Sequence, residues 1–177
     1  MSLHAVVIFL GCFFFAAISV ASKLHFKSSH FPTSMRLISV FSFGGIVNLL
    51  LAFGNARGNA VISLVAMIAS TVLFFLSIHA SRGEGLKVAY DTTAASQRLI
   101  ANGPYRFIRH PFYASYILFW IGCASYAANL IGYGILLALA ASYCFTARGE
   151  EDDILRSGLS RDYAAYRQRA GFLWPKF

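Results

Sequence analysis

Acidic residues are missing from the first 83 positions; all seven Asp and Glu lie at or after Glu84. Charge of either sign is scarce, 12% of the 177 residues against 58% hydrophobic, with 17 phenylalanines. Such a chain cannot present the polar surface of a soluble domain, and the composition is that of a polytopic membrane protein. The length is that of one domain. The net charge of +8 does not argue for nucleic acid, because the charges are not spread over a soluble surface, and no nucleic-acid partner is expected. Cysteine supplies no framework. Cys12, Cys123 and Cys144 fall inside apolar runs at unrelated spacings, with no C-x-x-C and no paired histidine. They read as small buried hydrophobes, and neither a disulfide set nor a metal site is expected. The segment Trp174–Phe177 carries no lipidation signal.

What is present is a series of apolar runs. Leu3 to Ala21 matches the ~20 residues that a bilayer core needs. With only His4 to serve as a basic n-region and a run that is long for an h-region, it reads as a span and not as a cleavable signal peptide. Lys23, His25, Lys27 and His30 make a short basic loop closed by Pro32. Met35 to Phe53 is the second span, with Gly44, Gly45 and Asn48 inside it. Small residues let helices approach, and Asn48 is expected to bind a neighbouring helix before it is expected to touch a substrate. Gly54 to Asn59 is a polar turn and Ala60 to Ala80 the third span. Ser81 to Ala101 is polar and reads as a connection outside the membrane. Phe112 to Ala147 is too long for one ordinary span, and Asn129 with Gly132-Tyr133-Gly134 marks a hairpin turn near its middle.

The distribution of Lys and Arg decides how many spans there are. With five, one side collects fourteen of them and the other Arg57 alone; with four, the split becomes eight against seven. The expectation is therefore an all-α polytopic membrane protein with five transmembrane helices, the N-terminus outside and a helical C-terminal tail in the cytoplasm. Its parts are three spans in 1–80, a cytoplasmic connection in 81–111, a helical hairpin in 112–147 and the tail in 148–177.

Two stretches carry chemistry. Asn102 to Tyr113 reads N-G-P-Y-R-F-I-R-H-P-F-Y. Gly103-Pro104 breaks the preceding structure, because proline fixes φ and lacks an N–H. Pro111 suits the first turn of a helix, which places Arg109 and His110 at the lip of the fourth span. The tail opens with four acids, Glu150 to Asp153, followed by Leu155, Leu159, Tyr163 and Tyr166 at helical spacing. A solvated helix start would account for the acids. It leaves unexplained why a basic collar and an acidic patch meet on one face, at adjacent ends of a hairpin.

G-P-Y-x-x-x-R-H-P-x-Y, filled by Gly103 to Tyr113, resembles the signature of isoprenylcysteine carboxyl methyltransferases and the related membrane phospholipid methyltransferases. The tail resembles the second element of that family, E-E-x-x-L-x-x-x-F-G-x-x-Y-x-x-Y, as Glu151, Asp152, Leu155, Leu159, Ser160, Tyr163 and Tyr166. It departs at Asp152 and at Leu159-Ser160, and the first three spans match no motif. The resemblance implies a methyltransferase that uses S-adenosyl-L-methionine without a Rossmann domain, and no G-x-G-x-x-G occurs in the chain. It implies a cofactor pocket on the cytoplasmic side, made by the hairpin and tail, and a lipophilic small-molecule or prenylated acceptor that enters from the membrane lipids.

The residues then take roles. Glu151, with Glu150, is assigned to the amino group or ribose hydroxyls of the cofactor, and His110 and Arg109 to its carboxylate. Tyr105, Tyr113, Tyr163 and Tyr166 are assigned to adenine and the sulfonium, and Pro111, inside the first element, is counted with the cofactor-binding residues. Arg109 and Glu151 are the expected catalytic residues. A carboxylate acceptor needs only an orienting Arg and exclusion of water; an amine or thiol must lose a proton, and His110 or Glu151 becomes the candidate base. Plainer readings stand beside these: lipid head-group anchors for Arg106 and Arg109, an interfacial belt for Tyr105 and Tyr113, an Arg148–Glu151 helix pair, and solvation for Asp153. An NADPH-dependent membrane reductase of the steroid-reductase-like type shares R-H-P-x-Y, but here no acid follows that element directly, and a non-catalytic membrane protein is the third reading.

Overall fold

A computed structural model describes residues 2–25, 33–81 and 99–176. Most of the polar connection expected at 81–101 lies outside the described residues. Five helices run back and forth: α1 (Leu3–His25), α2 (Thr33–Leu51), α3 (Ala60–Ser81), α4 (Pro111–Ala127) and α5 (Leu130–Leu155). A 3₁₀ turn, Gly103–Arg106, precedes α4, and a short α6 (Ser160–Arg169) follows α5. Among the described residues the only β-type pairing is a parallel bridge between Ile108 and Gly171.

The bundle is apolar outside. Along α3, Val61, Ile62, Val65, Ile68, Val72, Phe75 and Leu76 are exposed, while Ser63, Ser70 and Ser77 are fully buried. That is the reverse of a water-soluble helix, whose polar side faces out. Ser63 Oγ donates to Gly122 O at 2.8 Å and Ser70 Oγ to Ser115 O at 2.7 Å, binding α3 antiparallel to α4. Small residues thus make the α3–α4 seam, as they do where lipid leaves apolar side chains no reason to turn inward. Gly45 on α2 serves the same purpose, since a Cβ there would overlap the Trp120 ring of α4. Val7, Leu49, Met67, Trp120, Tyr126 and Leu139 fill the centre.

Among the described residues, three helices are long and apolar enough to cross a membrane, at Leu3–Ala21, Ala60–Ser81 and Leu130–Leu155. The apolar stretch Arg36–Leu51 of α2 and the 17 residues of α4 are shorter.

The hairpin turn is narrower than the sequence implies. Ala128, in the left-handed region at φ 46°, and Asn129 alone join α4 to α5, and Gly132 and Gly134 lie inside α5. Asn129 is the reason: its Oδ1 accepts from Gly132 N at 2.7 Å and starts the helix at once. Its Nδ2 donates to Asn48 Oδ1 at 3.0 Å, so Asn48 does tie α2 to the hairpin.

The acids also stand elsewhere than expected. Nothing stops α5 at Arg148; it continues to Leu155, so Glu150 to Asp153 occupy its last two turns and not a helix start. The apolar pattern ends before the helix does, because Arg, Glu and Leu are all good helix formers. Leu155 and Tyr163 belong to different helices, separated by a turn over 156–159.

Candidate active site

The site is assembled from the segment before α4, the end of α5 and the chain from α6 onward. Gly103, at φ +53°, makes the left-handed step that docks the 3₁₀ turn against Ala80 at the end of α3. Phe107 closes that turn in the right-handed helical region, and from Ile108 the chain pairs with the segment that follows α6. Gly171 N donates to Phe107 O at 2.9 Å, Arg109 N to Gly171 O at 2.8 Å and His110 N to Phe172 O at 3.2 Å. A Cβ on Gly171 would overlap Trp174 O, so only glycine permits this fold-back. Pro111 is fully buried as the first residue of α4, and His110 caps the helix, its carbonyl accepting from Ala114 N at 3.0 Å.

These constraints point Arg109 and His110 at the end of α5. Arg109 Nε donates to Glu151 Oε1 at 2.7 Å, and one terminal nitrogen donates to Ala170 O at 2.6 Å. Its guanidinium lies 5.6 Å from the Phe172 ring centroid. His110 Nε2 is 3.1 Å from Glu151 Oε1 and Nδ1 is 3.4 Å from Glu150 Oε2. Both ring nitrogens face carboxylates, which a doubly protonated ring satisfies. Arg167 Nε approaches Glu151 Oε2 at 3.6 Å. Tyr113 donates its hydroxyl proton to Glu150 and stacks on Tyr143 with centroids 5.7 Å apart.

The cluster is buried, with Glu151 5% and His110 8% exposed. Burial alone would raise the Glu151 pKa, but hydrogen bonds from His110 and Arg109 and their charges lower it to about 2. Burial alone would lower the His110 pKa; the bonds to Glu150 and Glu151 outweigh it and raise it above the ordinary 6.5. Tyr163 is pushed up by burial and by Glu151 beside it, and Tyr166 to about 12, chiefly by burial. Both are neutral donors at physiological pH.

All the residues assigned from the sequence to the cofactor or to catalysis lie at this end of the bundle. Arg109, His110, Tyr113, Glu150, Glu151 and Tyr163 surround one another; Tyr166 and Tyr105 sit to one side, joined by Tyr166 Oη donating to Tyr105 O at 2.6 Å. Glu151 pairs with Arg109, His110 and Arg167, and among the described residues no ion pair joins it to Arg148. Asp152 and Asp153 are exposed. Arg106 is exposed and packs its guanidinium 5.6 Å from the Phe107 centroid. Sequence reasoning missed Arg167 and the fold-back through Phe172. A signal was there: Gly171-Phe172-Leu173 is an apolar island in a polar tail.

A buried ion cluster at the C-terminal end of a helix, where the macrodipole disfavours acids, is not what the fold alone needs. Its order in the chain, R-H-P-x-Y and then two acids across a helical hairpin, is found in a known family of membrane enzymes. The family model for phospholipid methyltransferases matches residues 59–160, more than half of the chain, and the chain belongs to that family. The match runs from the start of α3 to the start of α6 and holds both elements up to Ser160. No curated protein and no solved structure matches. This is a membrane methyltransferase, of a family whose methyl donor is S-adenosylmethionine.

Proposed function

We propose that this chain transfers a methyl group from S-adenosylmethionine to the carboxylate of a lipophilic acceptor, of which an isoprenylcysteine is the type, at the end of the bundle where α4 begins. One observation carries the choice of acceptor: the buried carboxylates of the site are already engaged, Glu151 by Arg109 at 2.7 Å and His110 at 3.1 Å, and Glu150 by His110 at 3.4 Å and by the Tyr113 hydroxyl. His110 turns both ring nitrogens toward carboxylates, and Glu151, its pKa lowered to about 2, is a weak base, so neither is placed to take a proton from an acceptor. An acceptor that brings its own lone pair needs neither.

The residues fit the cofactor by the chemistry of their donors. S-adenosylmethionine carries a carboxylate, an ammonium, a sulfonium and an aromatic base. Glu150 and Glu151 would hold the cationic groups, Arg109, His110 and Arg167 the carboxylate, and Tyr105, Tyr113, Tyr163 and Tyr166 the faces of adenine and sulfonium. When bound, it supplies an electrophilic methyl group. Arg109, a fixed side chain tied to Ala170 O, keeps Glu151 in place; Phe172 against His110, with centroids 5.2 Å apart, keeps water from the ring. Catalysis then rests on alignment and exclusion of water more than on proton transfer.

We infer five spans, with α2 and α4 accommodated by local thinning of the bilayer, the N-terminus outside and α6 in the cytoplasm. The antiparallel order and the segregation of Lys and Arg support this.

The family description favours a second reading, methylation of a phospholipid amine. The two separate in one assay. Purified protein is given methyl-labelled S-adenosylmethionine with either a prenylcysteine or phosphatidylethanolamine. Label in a base-labile ester supports the carboxylate; label only in the phosphatidylethanolamine head group removes it.

A further inference from the structure

The opposite end of the bundle holds a cavity that methyl transfer does not use. It has a volume of about 380 Å³, within the range of small-molecule sites, about 300–1,000 Å³. It lies between the end of α2, the loop before α3 and the α4–α5 joint. Its polar lining is Asn48, Asn55, Arg57 and Asn129; Leu51 and Leu130 stand at its edge. Along the 17 residues of α4 it is about 25 Å from His110, too far to present an acceptor to the charged cluster.

Three features give this cavity a ligand. Arg57 is exposed and, among the described residues, has no ion pair. Its place is fixed by the backbone, because Gly58 N donates to Tyr126 O at 3.2 Å and a Cβ on Gly58 would overlap Ser125 O. Beside this cation the asparagine amides offer neutral donors and, among the described residues, no acid lines the cavity, so the lining suits an anion. The edge is different: Leu51 is 73% and Leu130 88% exposed, on the outer faces of α2 and α5. A polar floor with a cation and an apolar edge continuous with a lipid-facing surface fits an amphiphile better than a soluble ion.

We propose that this cavity binds the phosphate head group of a membrane phospholipid, with Arg57 on the phosphate and the acyl chains along the exposed faces of α2 and α5. The proposal rests on the bundle crossing the membrane, and not on which acceptor is methylated. The lipid is a second one, at the far leaflet from the methyl-transfer site.

Native mass spectrometry of the full chain in detergent tests it, with phosphatidylglycerol, diacylglycerol and glycerol 3-phosphate as probes. The variants are Arg57→Gln, Arg57→Lys and, as a control at the charged end, the exposed Arg161→Gln. Thermal melting checks that each is folded. Phosphatidylglycerol should bind the wild type and Arg161→Gln alike, bind Arg57→Lys with a smaller loss, and bind Arg57→Gln at least tenfold more weakly. Equal binding by Arg57→Gln and wild type would overturn the proposal, as would diacylglycerol binding as tightly as phosphatidylglycerol. Glycerol 3-phosphate binding as tightly as the lipid would assign the cavity to a soluble phosphate and overturn it too.

Discussion

At one end of the bundle α4 passes into α5 through Ala128 and Asn129, and neutral amides close the joint. At the other, Arg109, His110, Glu150, Glu151 and Arg167 meet with contacts of 2.7 to 3.6 Å, drawn from three separated segments. The first end shows what holding helices together requires: a cap, a side-chain bridge from Asn129 to Asn48, a glycine at the close approach. The second contains far more charge than that. Buried ion pairs rarely stabilise a fold by more than packed apolar groups of the same size would, and clusters of perturbed groups gather at functional sites. The contrast between the ends therefore supports the charged end as the place of the proposed methyl transfer.

The contrast breaks most sharply at Glu151. Glu151→Ala leaves Arg109 and His110 buried without their shared anion, and should lower stability by about 3–5 kcal/mol, read by denaturation in detergent. Asn129→Ala at the neutral end removes the cap and the bridge to Asn48, neutral hydrogen bonds of about 1 kcal/mol each, and should lower it by only about 2 kcal/mol.

The paired glycines come next. Gly171→Ala and Gly58→Ala each push a Cβ into a carbonyl oxygen, and each should lower stability by about 1–3 kcal/mol. Only Gly171→Ala should weaken S-adenosylhomocysteine binding, by tenfold or more in calorimetry, because only it frees the chain over Arg109. Equal losses in both variants would contradict the separation of the two ends.

The pH profile sharpens the comparison further. The Glu151 pKa is depressed, so its contribution to stability is full above the ordinary 4.5 and is lost as pH falls toward about 2. The His110 pKa is raised, so its contribution is full below 6.5 and is lost as pH rises through the folded value. Melting temperature should be highest between these limits and fall on both sides; His110→Gln should remove the alkaline fall and keep the acid one. The smallest effect is expected at the neutral end, where Ala128→Gly relieves a left-handed alanine, worth roughly 1 kcal/mol in the stabilising direction.

Much of this was legible in the residues. The apolar runs, the basic and acidic elements and their order gave the helices and the cluster, since each is written in contiguous stretches. Asn48 was legible as a helix-to-helix contact for the same reason: an amide in an apolar run must find a partner. The end of α5 was not, because composition changes at Arg148 while helix propensity does not. Nor was the pairing of 107–110 with 171–176, which depends on chain reversal through α6 and has no local pattern beyond Gly171. That pairing gives Arg109 its second bond and brings Arg167 to Glu151, so the basic half of the site was only partly readable.

The most direct test of the account is calorimetric binding of S-adenosylhomocysteine to the purified protein, beside Glu151→Gln and His110→Gln variants shown by melting to be folded. Micromolar binding by the wild type, lost in both variants, is the predicted result. A folded wild type that binds none, or variants that bind as well as it does, would contradict the claim that the charged end holds the methyl donor.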